Sequence, residues 1–149
     1  LHDALPISAF APVAVTLDEL GDAWDNGRLR LTVQSAVNGR KIGMCDAGAD
    51  MAFHFGQLIA HVSKTRPVRA GAVFGSGAVS NAPTESKGKQ EWPKGASCLM
   101  EKRAIEKLLD GKASTEYLKV SDSVRIEVKG KDGQSVFGAI DQHVAPLAS

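Results

Sequence analysis

Long apolar runs are missing from this sequence, and no stretch approaches the length needed to span a membrane as a helix. Charge of one sign is missing too. Lys and Arg number 18 against 17 Asp and Glu, with no basic block, so nothing marks a nucleic-acid or anionic-lipid surface. Only two cysteines occur, Cys45 and Cys98, far apart and outside any CxxC pair. Two ordinary buried thiols in a reduced, cytoplasmic protein fit this better than a secreted disulfide framework. No internal repeat or low-complexity tract appears. What remains is 149 residues at 43% hydrophobic and 23% charged, a composition suited to one globular domain.

The opening "LHDALPI" has neither an initiator methionine nor the basic and apolar regions of a signal peptide. It matches the translation of a common sequencing adapter. Residues 1–8 are therefore expected to be an adapter-derived artefact, and residues 9–149 the C-terminal portion of a longer catalytic domain.

Local patterning predicts a strand-dominated α+β chain. A short strand is expected at Val13–Thr16, running into a turn capped by Thr16 or Asp18. Leu29, Leu31 and Val33 alternate with polar residues, as a strand with one wet face does. Asn38-Gly39 supplies a tight hairpin turn, and Lys41–Cys45 returns. Met51, Phe55, Leu58, Ile59 and Val62 recur at steps of three and four, predicting the one main helix near 51–64. A strand is expected at Gly71–Phe74, then a polar loop or loose hairpin over "NAPTESKGKQEWPKGAS". "CLMEKRAIEKLLDGK" is ambiguous: propensity favours helix, with Ala104, Ile105, Leu108 and Leu109 giving a short apolar face stopped at Gly111. The end is a long hairpin: Val124, Ile126 and Val128 alternate, Asp132-Gly133 turns, and Val136–Val144 returns.

Most motif chemistry can be excluded. Gly75-Ser76-Gly77-Ala78-Val79-Ser80 resembles the start of a dinucleotide loop, but it ends on serine and runs into the proline-bearing "NAPTES" rather than a helix. A glycine-permitted bend is the alternative, with backbone open to close approach by a ligand at Ser76 to Val79. His54 and His61 stand about 10.5 Å apart along a helix, too far to share one zinc, and read as boundary packing. His143 has no evident partner. A hydrolase elbow with Gly-x-Ser-x-Gly is absent, and Cys98 carries no mark of a stabilised thiolate. Asp18, Glu19 and Asp22 read as a solvated turn, and Glu85, Glu91 and Glu106 as surface. Glu101 differs because apolar Leu99 and Met100 precede it.

Taken in order, "FAPVAVTLDELGDAW", "NGRKIGMCDAGADMAFHFGQLIAH", "RAGAVFGSGAVSN", "SCLMEKR" and "GAIDQHV" resemble the bacterial members of the fumarylacetoacetate hydrolase family, over less than half of a full-length member. The resemblance implies a β-sandwich or roll with one main helix, in an enzyme whose subunits usually pair as homodimers. It implies Mg²⁺ or Ca²⁺ in the full-length parent, chelating a diketo acid such as fumarylacetoacetate or an acylpyruvate. A histidine–carboxylate pair then activates water and a carbon–carbon bond breaks, in tyrosine or other aromatic catabolism. Hydratases, decarboxylases and isomerases of related oxo acids share the fold, and a non-catalytic remnant is a further alternative.

On this chain the resemblance puts Glu101 where the family has the carboxylate that orients the catalytic histidine. It thereby implies strand, not helix, over Ser97–Lys102. Gly77 and Ala78 fall where backbone approaches the substrate carboxylate, with Ala78 standing where the family usually has a threonine. The family's metal ligands, catalytic histidine and substrate lysine all precede the matching segment. No metal ligand is expected in this chain, which alone should be inactive and bind no cofactor.

Overall fold

The computed structural model describes residues 8–146. Its centre is a four-stranded antiparallel sheet in the order β4-β3-β7-β8, with β3 Thr32–Val37, β4 Arg40–Asp46, β7 Ser123–Lys129 and β8 Ser135–His143. Two small hairpins flank it, β1 Trp24–Asp25 with β2 Arg28–Leu29, and β5 Thr84–Ser86 with β6 Lys89–Glu91. The helices are α1 Leu17–Leu20, α2 Phe55–Ser63 and α3 Leu99–Asp110. This is the strand-dominated α+β architecture expected.

Both long hairpins form where local chemistry asks for them. Asn38 and Gly39 take φ of 50° and 71°, the left-handed pair that the tight β3–β4 turn requires. The Asn38 amide then ties this turn to the start of β7: Nδ2 donates to Asp122 Oδ1 at 2.8 Å, and Oδ1 accepts from Ser123 N at 2.8 Å. Register fixes the faces. Val33 sits between Cys45 and Val128, and Ile126 lies opposite Ile140, so one face is apolar. Arg125 on the opposite face reaches Asp141 at 2.7 Å.

The edge strand β4 does not end the pairing. Gly43 forms an isolated antiparallel bridge with Gly95, supported by Met44 N donating to Lys94 O and Ala96 N to Ile42 O. The contact is backbone against backbone: a Cβ on Gly43 would lie 2.4 Å from Ala96 O, and one on Gly95 2.2 Å from Ile42 O. Only glycine admits that approach. The bridge leaves the chain at the sheet edge four residues before α3 begins.

Several elements differ from expectation. Residues 13–16 are extended without being a strand; Val13 N makes a single bond to Phe137 O. Residues 71–74 have no neighbouring strand to pair with and stay irregular, with Val73 73% exposed. The strand through Leu29–Val33 breaks at Arg30–Leu31, which turns Leu31 into the core at 7% exposed. The helix expected from Met51 starts only at Phe55, and α3 is longer than α2, so there is no single main helix. Ser97–Lys102 is not a strand either. Cys98 is the last extended residue, and α3 starts at Leu99 and stops at Gly111 in the left-handed region (φ 75°). Intrinsic propensity prevails because no strand lies alongside to pair with this segment.

Glu106 is a further correction, buried at 9% exposed rather than on the surface. Its carboxylate accepts from Ser114 N and Thr115 N, each at 2.8 Å, and from Thr115 Oγ1, with Lys102 Nζ at 3.3 Å. Arg103 joins the clamp by donating to Thr115 O and stacking 4.5 Å above the Tyr117 ring. Together these side chains pin the strap after α3 onto the helix.

The Thr115 hydroxyl and the backbone amides hold the Glu106 carboxyl down to about 2, from an ordinary 4.5. A depressed pKa adds stability that is complete above 4.5 and is lost as pH falls towards 2. In Glu106→Gln the amide NH₂ faces backbone donors. The urea midpoint of E106Q should therefore lie below wild type at pH 7, and the two should converge between pH 5 and about 2. Equal midpoints at pH 7 would remove the clamp from this account.

Candidate functional site

The site grows from the loop after β4. Asp46 Oδ1 accepts from Gly48 N at 2.9 Å and Ala49 N at 2.8 Å, closing a tight turn that ends at Asp50. Met51, Ala52 and Phe53 follow, and α2 then starts with a reciprocal cap. His54 Nδ1 accepts from Gln57 N at 3.3 Å, and Gln57 Oε1 accepts from His54 N at 3.0 Å. His54 is therefore a cap rather than boundary packing. Phe55 stacks on Trp24 at 5.9 Å, fastening α2 to the β1–β2 hairpin.

Against this loop lies the glycine bend. Asn81, 7% exposed, holds it there. Its Oδ1 accepts from Asp46 N at 2.8 Å, while its Nδ2 donates to Asp46 O at 3.2 Å and to Asp50 Oδ2 at 2.9 Å. Ala82 N adds a bond to the same Asp50 oxygen at 3.1 Å. The Asn81 amide, Ala82 N–H and the charge of Lys94 hold the Asp50 carboxyl below its ordinary value. Loop and bend, 35 residues apart in sequence, are thus joined through one buried side chain.

Between them is a cavity of about 180 Å³. Met51, Phe53, Leu58 and Val79 give it apolar walls; Ala78, Ser76 and Ser80 come from the bend, and Asp50 is its one charged lining residue. Gly77 takes φ of 86° with open space where a Cβ would project, so conformation rather than crowding calls for glycine. Gly75 needs neither.

Glu101 lies in the first turn of α3. Ser80 Oγ donates to Glu101 Oε1, and it is through Ser80 that the carboxylate reaches the cavity wall. Ala78 lines the cavity and Glu101 meets its neighbour Ser80, while neither Gly77 nor Glu101 itself is a lining residue. His61 lines a separate apolar groove with Phe53, Gln57 and Lys64, and His143 ends β8; neither joins the site. Cys98 stands half-buried beside α3 and Cys45 is fully buried, both as free thiols. Asn81, Asp50 and Ser80 were not singled out from sequence. The signal available was the "DAGAD" turn pattern together with an asparagine closing an apolar run.

The described residues thus present a mixed α+β fold in which a backbone bend and a small cavity lie beside a carboxylate. The family model described as fumarylacetoacetate (FAA) hydrolase C-terminal matches residues 2–145. The chain belongs to that family. No curated protein matches it.

Members of the family commonly use divalent metals, and such cations take six or more oxygen ligands. The described residues do not fit one: among them no group of three His, Cys, Asp or Glu side chains converges, and the cavity offers Asp50 alone, already engaged by Asn81 and Ala82. Titration calorimetry of this chain with Mg²⁺ should accordingly give no stoichiometric site; a tight one-to-one isotherm would contradict the assignment of Asp50 to structure.

Proposed function

We propose that this chain is the C-terminal part, from about residue 9, of a metal-dependent hydrolase that cleaves a carbon–carbon bond in diketo acids such as fumarylacetoacetate or acylpyruvates. Under this reading the enzyme works in the cytoplasm as a homodimer, in the breakdown of tyrosine and other aromatic compounds. Its Mg²⁺ or Ca²⁺, its catalytic histidine and its substrate lysine come from residues that precede this chain in the parent protein.

The observation that carries the reading is the meeting of Glu101 with the bend at Ser80, on the same cavity wall as Ala78. An imidazole that takes a proton from water needs an anion beside it, both to fix its tautomer and to stabilise the imidazolium formed. Glu101 is that anion. The bend from Gly77 to Ala78 offers backbone to the substrate carboxylate, and Met51, Phe53, Leu58 and Val79 offer apolar contact to the remainder of the substrate. Among the described residues no helix is long and apolar enough to cross a membrane.

The complete gene product should consume acylpyruvates in a Mg²⁺-dependent reaction that releases two acids. Hydration, decarboxylation or isomerisation would give other products and identify a different member of the same chemistry. In that enzyme Glu101→Gln should lower kcat by about 10²-fold or more, the scale of a lost acid–base partner. Wild-type turnover in E101Q would overturn the reading.

Ala78 provides a second test. A hydroxyl restored there adds one hydrogen bond, worth roughly 0.5–1.5 kcal/mol. Ala78→Thr should therefore lower KM for a diketo acid by about 2- to 10-fold with kcat little changed. An unchanged or raised KM would take Ala78 off the carboxylate-binding wall.

A further inference from the structure

We infer that Ser80 is a positioning residue, which sets the Glu101 carboxylate relative to the cavity through the bond from its hydroxyl. This inference rests on the reading of Glu101 as the partner of a catalytic histidine, and goes beyond it by naming what holds that partner.

The bond joins the two halves of the site. Ser80 Oγ donates to Glu101 Oε1 across 21 residues, from the bend to the first turn of α3. Glu101 has no other side-chain or turn bond among the described contacts of the site. A flexible carboxylate at a helix N-terminus samples several rotamers, and one fixed donor selects among them. An acid–base partner displaced by about 1 Å can cost about 10²-fold in rate, so such selection matters for turnover.

Ser80 can act as a fixed donor because its neighbour is clamped. Asn81 is buried and makes three hydrogen bonds to the Asp46–Asp50 loop, and Ala82 N makes a fourth contact to Asp50. Ser80 is thereby tied to the wall that also carries Ala78 and Val79. The Glu101 side follows from the sheet: the Gly43–Gly95 bridge fixes the chain shortly before Cys98, and α3 then presents Glu101 in its first turn. A hydroxyl of suitable reach is the only chemistry needed at position 80. Threonine keeps it and alanine removes it.

The test has one arm without turnover and one with it. In this chain, carrying ¹³C-labelled glutamate, the Glu101 carboxyl resonance is identified by its absence in Glu101→Gln. It should move in Ser80→Ala and return near its wild-type position in Ser80→Thr. In the complete gene product, assayed with an acylpyruvate, S80A should lower kcat about tenfold with KM unchanged, and S80T should restore most of it. In the E101Q background S80A should add no further loss, since both act through one group. A Glu101 resonance indifferent to S80A, or wild-type kcat in S80A beside a crippled E101Q, overturns the inference and leaves the proposed function standing. Full activity in E101Q overturns both.

Discussion

One buried amide organises this molecule's candidate site. Asn81 has a donor and an acceptor on a single rigid plane. It uses both against the backbone at Asp46 and then reaches the Asp50 carboxylate as well. A buried polar group left without partners costs about 1–3 kcal/mol, so satisfying this amide fixes the segment that carries it. The glycine bend, which has no strand beside it, is held in place by that side chain rather than by sheet hydrogen bonds. Ser76, Ala78, Val79 and Ser80 can then line a cavity while the segment keeps its backbone free of a ladder.

The other fixed point is the glycine-to-glycine bridge at the β4 edge. It holds the segment that precedes α3 at the β4 edge, and the Glu106 and Arg103 clamp ties the strap that follows α3 back onto the helix. Glu101 and Glu106 share one helix with different surroundings. Glu106 is spent on backbone amides of the strap, whereas Glu101 meets a single hydroxyl at the cavity wall. Beyond these attachments the chain is open. Phe53, Val73 and Met100 are among the apolar side chains left in water.

How much of this could be read from the residues depended on range. The two long hairpins were legible because alternation and the Asn-Gly and Asp-Gly turns are local signals. The 71–74 segment has the apolar character of a strand, yet a strand exists only with a neighbour, and none is supplied. At Ser97–Lys102 the likeness to a family favours a strand over the helix that propensity supports, and the helix forms because no strand lies alongside. The burial of Glu106 is set by a strap eight residues away and cannot be seen in the helix alone. Of the site, Gly77, Ala78 and Glu101 were named in advance. Asn81 and Asp50 carry no such local signal, and Ser80 reads only as the residue that breaks a dinucleotide loop, because their importance lies in contacts that span 21 to 35 residues.

Amide hydrogen exchange at Asp46 and Ala82 tests the central claim most directly, because each amide donates into the Asn81–Asp50 clamp. The account predicts that both are protected and that Asn81→Ala releases them together while the amides of β7 and β8 stay slow. Rapid exchange at these two positions in the wild-type chain, or release of one without the other, would contradict it.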